Sequence, residues 1–299
     1  MFDYFLILLA VGCFSLQFIF TKLYTKQVEQ TFETALTMLF LTGLFGAALF
    51  FAVNGFTLHF STSSILLAVL FAVVMIPYYT LSFKALTLGS VAIYSTFMML
   101  GGMLLPFVYG ATLLDEPLSW GKIVGCVLMC GCILAQGITQ QKGEGATNKG
   151  STLFFLLCIC IFIINGLTGV IAKMHQSQPT AVNEESFTVL SCLFISLFSL
   201  TILAFRLGFK KATMSEVKSV FHRKPLSVVA LLGAAMHTGN FLILIAATNV
   251  PASVQFPLIS GGTILLSALF ALWFFKEKPP KKEWLCIVGA FLSTLFFAF

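Results

Sequence analysis

The chain has 299 residues, of which 59% are hydrophobic and only 9% are charged, and its formal net charge is +6. Soluble domains carry about 25% charged residues, so this composition excludes an ordinary soluble protein and indicates an integral membrane protein. The apolar runs are continuous rather than alternating, which excludes a transmembrane β-barrel. The sequence therefore predicts an all-α membrane protein.

Charge-free stretches set the number of expected membrane spans. A helix crosses the hydrocarbon with about 20 residues, and eight charge-free windows are candidates. Two of them, 34–83 and 225–275, hold two spans each, because Asn54-Gly55 and Thr248–Pro251 interrupt them. The prediction is ten spans, at about 4–22, 34–53, 64–83, 91–114, 121–139, 151–173, 186–205, 226–246, 252–275 and 284–299.

Two loops differ from the short connections elsewhere. Residues 140–149 form the one Gly- and polar-rich linker, and they separate span 5 from span 6. The loop from Arg206 to Lys224 is the longest and most basic, with room for a short surface helix. The linker is the natural boundary between two halves of the chain.

The two halves share a plan. A Gly-Gly pair, a glutamate and a Trp-x-x-Ile-Val-Gly motif recur in order at offsets of 160, 161 and 164 residues: Gly101-Gly102 and Gly261-Gly262, Glu116 and Glu277, Trp120 and Trp284. Three matches in order indicate an internal duplication, with one repeat over 1–145 and the other over 146–299. Because each repeat has five spans, the second enters the membrane in the opposite orientation. This predicts an inverted-topology repeat.

At this point the sequence resembles the EamA family of the drug/metabolite transporter superfamily, over nearly the whole chain. The matching residues are Lys84–Ser90 before span 4, Asp115–Leu118 after it, and Lys276–Lys278 with Ile287–Gly289 in the second half. The resemblance implies a central cavity lined by spans 1, 3, 4, 6, 8 and 9, with spans 5 and 10 at the periphery. It also implies export or exchange of small metabolites, amino acids or drugs.

Loop charges predict the orientation. Fifteen of the 17 Lys and Arg residues follow odd-numbered spans, and only Lys122 and Lys173 follow even-numbered ones. The positive-inside rule then places the odd loops in the cytoplasm and both termini outside, whereas the family resemblance implies termini inside. We favour the charge distribution because its bias is large, and we expect a multi-pass protein of the cell (inner or plasma) membrane.

Polar residues in the middle of a span are the candidate ligand-binding residues, because a polar group in hydrocarbon needs an internal partner. The predicted substrate-binding set lies on the six spans that the resemblance assigns to the cavity: Gln17, Tyr78, Tyr79, Tyr94, Asn165, His237, Asn240 and Gln255. Ser95, Thr96 and Ser260 accompany them. Spans 2 and 7 offer only Ser, Thr and Cys, which can bond their own helix, and are left out.

His237 has two interpretations. It is a candidate ligand for the substrate or for coupled protons, since an ordinary imidazole titrates near neutral pH. The alternative is a neutral histidine bonded to a neighbouring helix. Similarly, Gln17, Asn165 and Gln255 bind substrate or join helices.

Gly101, Gly102, Gly261 and Gly262, with Pro77, are the predicted packing or gating positions. Mid-span glycines let helices approach closely and bend, and we favour packing with some flexing. Pro77 directly precedes the tyrosine pair, so span 3 is expected to bend and present aromatic rings.

The leading function is a secondary transporter that moves a small metabolite (an amino acid, amine or drug-like compound) by alternating access, as an exporter. A nucleotide-sugar or other anionic exchanger is the alternative, although it would need Lys or Arg in the cavity. A membrane-embedded enzyme is less favoured, because Asp115-Glu116 is its one candidate cluster, and a scaffold would not need the duplication. No carboxylate lies mid-span, which disfavours carboxylate-based exchange of cations for protons. We expect no catalytic residue, metal, cofactor or nucleic-acid partner; the partners are a small-molecule substrate and the lipid bilayer.

Overall fold

A computed structural model describes residues 2–29, 31–88, 91–141, 151–209, 214–276, 281–294 and 296. Throughout these residues the regular structure is helical. The helices are α1 (Phe2–Thr25), α2 (Phe32–Val53), α3 (Thr62–Leu88), α4 (Val91–Leu113), α5 (Trp120–Gln141), α6 (Ser151–Ser177), α7 (Glu184–Gly208), α8 (Met214–Val220), α9 (Arg223–Ala247), α10 (Ala252–Phe275) and α11 (Lys281–Ser293). The linker residues 142–149 and Glu277 lie outside the described residues.

Seven of these helices are long and apolar enough to cross a membrane, namely α1, α2, α3, α6, α7, α9 and α10. Shorter apolar stretches lie in the other three long helices, at Phe97–Leu113, Trp120–Cys132 and Trp284–Ser293. The protein is therefore an all-helical, multi-pass membrane protein, as the composition predicts. The short α8 lies in the basic loop where the sequence left room for a surface helix.

Local sequence signals place the ends of α2. At its start the Thr31 side chain accepts a hydrogen bond from the Thr34 amide, and the Thr34 hydroxyl accepts one from the Thr31 amide. This reciprocal cap satisfies amides that have no partner inside the helix. The helix ends at Asn54, and Gly55 takes a φ of 62° that glycine adopts without strain. The Asn-Gly break therefore separates two spans, as predicted.

Eight helices pack side by side in a closed ring. The order around it is α1, α10, α4, α6, α3, α7, α2 and α9, which returns to α1. The remaining two long helices, α5 and α11, pack on each other and against α4 and α10, outside the ring. The helices that correspond to predicted spans 5 and 10 are thus peripheral.

Contacts between helix ends define the two ends of the bundle. At the Glu116 end, Glu116 meets the start of α10, and Asn249 donates to Asp3 at the start of α1. At the opposite Glu33 end, Arg206 from the end of α7 pairs with Glu33 at the start of α2. These two end names are kept below.

Glycine allows the closest helix contacts in the ring. A Cβ at Gly101 of α4 would collide with the backbone of Phe162 in α6, and one at Gly166 of α6 would meet the Gly101 carbonyl. In the second half, a Cβ at Gly262 of α10 would press on Val11 of α1, and one at Gly261 would meet Thr294. The predicted positions Gly101, Gly261 and Gly262 therefore lie at close helix contacts, and flexing at them stays a prediction.

Candidate functional site

A cavity of about 160 Å³ lies inside the ring. Seven helices contribute to its wall: α1, α3, α4, α6, α7, α9 and α10. Six of them correspond to the spans that the family resemblance assigns to the cavity. The seventh, α7, was not expected.

Six of the eight predicted binding residues lie on the cavity wall: Gln17, Tyr78, Tyr79, Asn165, His237 and Asn240. Gly102 and Ser260 line it too. Tyr94 does not line the cavity and is instead buried in the apolar cluster that also contains Tyr78 and Tyr79. The side chains of Ser95 and Thr96 lie outside the described residues.

Gln255 is buried away from the wall and joins two helices. Its Nε2 donates to the Ile243 carbonyl of α9 at 2.7 Å, and its Oε1 has no hydrogen-bond partner among the described residues. This geometry matches the helix-joining interpretation of a mid-span glutamine. A single sequence cannot separate the two roles, because both require the same side chain at the same depth.

The two cavity tyrosines donate to methionine sulfurs. The Tyr78 hydroxyl lies 2.8 Å from Met98 Sδ, and the Tyr79 hydroxyl lies 2.6 Å from Met236 Sδ. The two rings meet edge to face, with centroids 4.9 Å apart. Because a thioether sulfur can only accept, each hydroxyl hydrogen is committed to the protein.

The three cavity carboxamides are held through their nitrogens. Asn165 Nδ2 donates to the Met98 carbonyl at 2.8 Å, and Asn240 Nδ2 donates to the Met236 carbonyl at 2.9 Å. Gln17 Nε2 lies 3.4 Å from the Tyr79 hydroxyl oxygen. A backbone carbonyl accepts only, so it fixes which end of each asparagine amide is nitrogen. The amide oxygens of both asparagines are left for a ligand.

His237 connects α9 with α2 and α7. Its Nδ1 lies 3.2 Å from Cys192 Sγ, and its Nε2 has no hydrogen-bond partner among the described residues. The ring fits against Gly46, where a Cβ would collide with it. The contact with Cys192 is compatible with either tautomer of the imidazole, so Nε2 can donate or accept a hydrogen bond.

Helix α7 contributes a stripe that sequence reasoning missed. Phe187, Ser191 and Ile195 recur every four residues and line the cavity, and Thr188 and Cys192 lie beside them. Thr188 bonds its own helix at the Glu184 carbonyl, as expected for a span hydroxyl. The Ser191 hydroxyl is buried, and none of the described residues forms a hydrogen bond with it. The four-residue spacing of Phe187, Ser191 and Ile195 was the sequence signal that could have placed one face of this helix on the cavity wall.

Charged groups near the Glu116 end are engaged in holding helices. The Glu116 carboxylate accepts from the Ala252 and Ser253 amides at 2.7 and 3.0 Å, capping α10. The Lys173 ammonium donates to the Ala247 and Val250 carbonyls and lies 3.8 Å from Glu116. None of the described residues that line the cavity is Lys, Arg, Asp or Glu.

A second buried histidine lies between the cavity and the Glu116 end. His175 is fully buried, its Nε2 lies 3.1 Å from the Ser64 hydroxyl, and its ring stacks on Phe187 at 3.9 Å. Sequence reasoning placed it beyond the end of span 6. In the structure α6 continues to Ser177. No group of three or more His, Cys, Asp or Glu side chains that could hold a metal occurs among the described residues.

Comparison with known proteins defines the fold only. No protein-family model matches the chain, and no curated protein does. Solved structures do match, and one, described simply as the crystal structure of a protein, has a TM-score of 0.71 at 17% sequence identity. The match covers 99% of this chain and 96% of that one. The whole bundle is therefore a fold already observed in a crystal, and at this identity the likeness extends to the fold alone.

Proposed function

We propose that the protein is a secondary transporter that moves a small metabolite across the cell membrane by alternating access. The observation that carries this proposal is the cavity itself, which is lined by seven helices and contains buried polar atoms with no hydrogen-bond partner among the described residues. Buried polar groups in a membrane are costly and are retained where they serve substrate pathways. Direction of transport is proposed as export, following the resemblance to the EamA family of the drug/metabolite transporter superfamily.

The proposal includes ten spans arranged as an inverted repeat, and helix packing supports it. When α1, α2, α3, α4 and α5 are exchanged with α6, α7, α9, α10 and α11, each main packing pair maps onto another. The α1–α9 pair maps onto α6–α3, α4–α6 onto α10–α1, and α3–α7 onto α9–α2. The pairs α2–α7, α4–α10 and α5–α11 map onto themselves. Such a pattern is what two related five-helix units produce when they pack about a twofold axis.

The competing functions fit the cavity less well. An anionic exchanger needs cationic side chains at the ligand, yet Lys173 is engaged with two carbonyls and with Glu116. A membrane enzyme built on Asp115-Glu116 would need a free carboxylate, and both Glu116 oxygens accept backbone amides. We therefore propose transport rather than catalysis.

Proteoliposome flux tests the transport proposal. The purified protein is screened by thermal shift against metabolites, because a ligand stabilises the state that binds it, and each hit is then measured for uptake and counterflow. Ser191→Phe should fill the cavity and abolish flux, whereas Leu197→Phe, on the exposed face of the same helix, should transport normally. A hit that binds but never crosses the bilayer would overturn the transport proposal.

Proton coupling through His237 is the second part of the proposal. An unperturbed imidazole changes charge between about pH 5.5 and 7.5, and no carboxylate among the described lining residues can do so instead. Transport by His237→Gln should therefore be flat over this range. If the variant keeps the wild-type pH profile, His237 does not couple transport to protons.

A further inference from the structure

We propose that the cavity recognises a cationic amine: a small molecule with an apolar, aromatic body and one protonated primary amino group. This inference rests on the proposed function, because it names the substrate class of the same cavity. It is carried by the direction of the hydrogen bonds on the wall.

Two asparagines on opposite sides of the cavity present acceptors. Asn165 on α6 and Asn240 on α9 each donate an amide hydrogen to a backbone carbonyl, and that partner cannot be reversed. Their Oδ1 atoms make no hydrogen bond with the described residues. A carboxamide oxygen carries two lone pairs and a partial negative charge, so these two atoms favour an N–H donor that bears positive charge.

The tyrosines strengthen the same preference. Their hydroxyls lie against the Met98 and Met236 sulfurs, the Tyr79 oxygen also lies 3.4 Å from Gln17 Nε2, and their rings offer electron-rich faces to a cation. Phe14, Phe18 and Phe71 add further rings to the wall. A cation within about 6 Å of an aromatic centroid is attracted by the ring quadrupole, most strongly when water is excluded.

An acid would find no matching partner. The described wall carries no Lys or Arg, so a carboxylate would leave water without the cationic partner that offsets its desolvation cost. Donors are present, since each carboxamide keeps one N–H and the buried hydroxyls of Ser191 and Thr263 have no hydrogen-bond partner in the described part of the chain. These groups can bind a hydroxyl or amide on the ligand, and they do not supply a positive charge.

A matched ligand series tests the inference on the intact protein. Calorimetry in detergent compares 2-phenylethylamine, its trimethylammonium derivative and 3-phenylpropionate, with tryptamine and 3-indolepropionate as a larger pair. We expect the amines to bind at least roughly tenfold tighter than the acids, and the quaternary derivative to lose roughly tenfold because it cannot donate hydrogen bonds. Tighter binding of an acid, undiminished binding of the quaternary cation, or no amine binding at millimolar concentration would each overturn the inference.

A charge added to the wall gives an independent test. Gln17→Glu should tighten 2-phenylethylamine binding by roughly tenfold or more, since hydrogen bonds to charged groups are stronger than neutral ones. Glu at position 17 should not improve 3-phenylpropionate binding. The matched control is Ser199→Ala, which removes a buried hydroxyl without a partner outside the cavity wall and should leave both affinities unchanged. A Gln17→Glu protein that folds but binds amines no better contradicts the inference.

The two proposals fail in different ways. If amines bind but none is transported, the amine site stands and the transport proposal fails. If acids are transported and amines are neither bound nor moved, transport stands and the amine inference fails.

Discussion

Carboxamides that the sequence predicts to lie within spans have different roles in this protein, and their hydrogen-bond partners decide which role each has. Asn240 back-bonds to Met236 in its own helix and leaves an oxygen in the cavity, whereas Gln255 reaches across to α9. The sequence predicted both as ligand-binding residues, because position along a span does not show which way the side chain points around the helix. Whether such a residue lines the cavity or bonds a neighbouring helix depends on how its own helix is rotated about its axis.

The Asn240 and Gln255 pair is open to a direct comparison. Asn240→Ala should weaken amine binding by roughly three- to tenfold, the cost of one lost hydrogen bond of about 0.5–1.5 kcal/mol, with little change in Tm. Gln255→Ala should lower Tm and leave the affinity of the folded protein unchanged. Calorimetry and thermal unfolding in the same detergent measure both, and exchanged effects would contradict this assignment.

At the scale of elements, small residues and capped helix ends set how the helices meet. The Gly101–Gly166 contact brings the α4 and α6 backbones together. The Glu116 cap joins the loop after α4 to the start of α10. The duplication in the sequence identified the glycine pair and the glutamate as related features. The sequence did not predict that these features contact Phe162, Lys173 and Ala252, because the contacting residues lie far apart along the chain.

Gly101→Ala should destabilise the protein by about 1–3 kcal/mol, since overpacking a tight contact forces backbone shifts. The matched control is Gly131→Ala in α5, where a Cβ has nothing within 4 Å. Alanine there should stabilise by about 0.5–1 kcal/mol, because it favours the helix over glycine. Thermal unfolding followed by tryptophan fluorescence compares the two. Equal effects would mean that the Gly101 contact does not limit the approach of α4 to α6.

Glu116→Ala should cost about 3 kcal/mol or more, because it removes the acceptor of two amides and the carboxylate beside Lys173. Adding Lys173→Met should restore part of the loss, as expected for groups that interact directly. Asp115→Asn is the control: Asp115 is exposed with a φ of 49°, which asparagine tolerates. Additive losses in the double variant would show that Glu116 and Lys173 act separately.

At the scale of the whole molecule, the ring of helices separates a basic end from a mainly acidic one. Lys22, Arg206, Arg223 and Lys224 belong to helix termini at the Glu33 end, and the positive-inside rule assigns this end to the cytoplasm. The basic side chains described at the opposite end are Lys122 and Lys173, and they lie there among the acidic residues Asp3, Asp115, Glu116, Glu184 and Glu185. The orientation in the membrane therefore remains a prediction from charge. The structure adds which loops lie together at each end of the bundle.

Single-cysteine labelling tests this orientation. In a background without the eight native cysteines, Gln178→Cys at the Glu116 end should react with a membrane-impermeant maleimide in intact cells. Ser215→Cys in α8 at the Glu33 end should react only after permeabilisation. Both side chains are exposed, so access to reagent is the one variable. The reverse pattern would place the termini in the cytoplasm, as the family resemblance implies.

Composition and hydrophobic runs by themselves determined that this is a multi-pass helical membrane protein, because hydrocarbon requires about 20 apolar residues for every crossing and penalises each charge. They also located the breaks at Asn54 and Pro251. Six of the eight binding residues they predicted line the cavity, since a mid-span polar residue needs a reason to be there. Tertiary structure alone decided that α7 joins the wall, that Gln255 and Tyr94 turn away from it, and that the carboxamides present oxygen. Those outcomes depend on which helices are neighbours and on which acceptor each donor reaches. Neither can be predicted from the sequence, because both are set by contacts between distant parts of the chain.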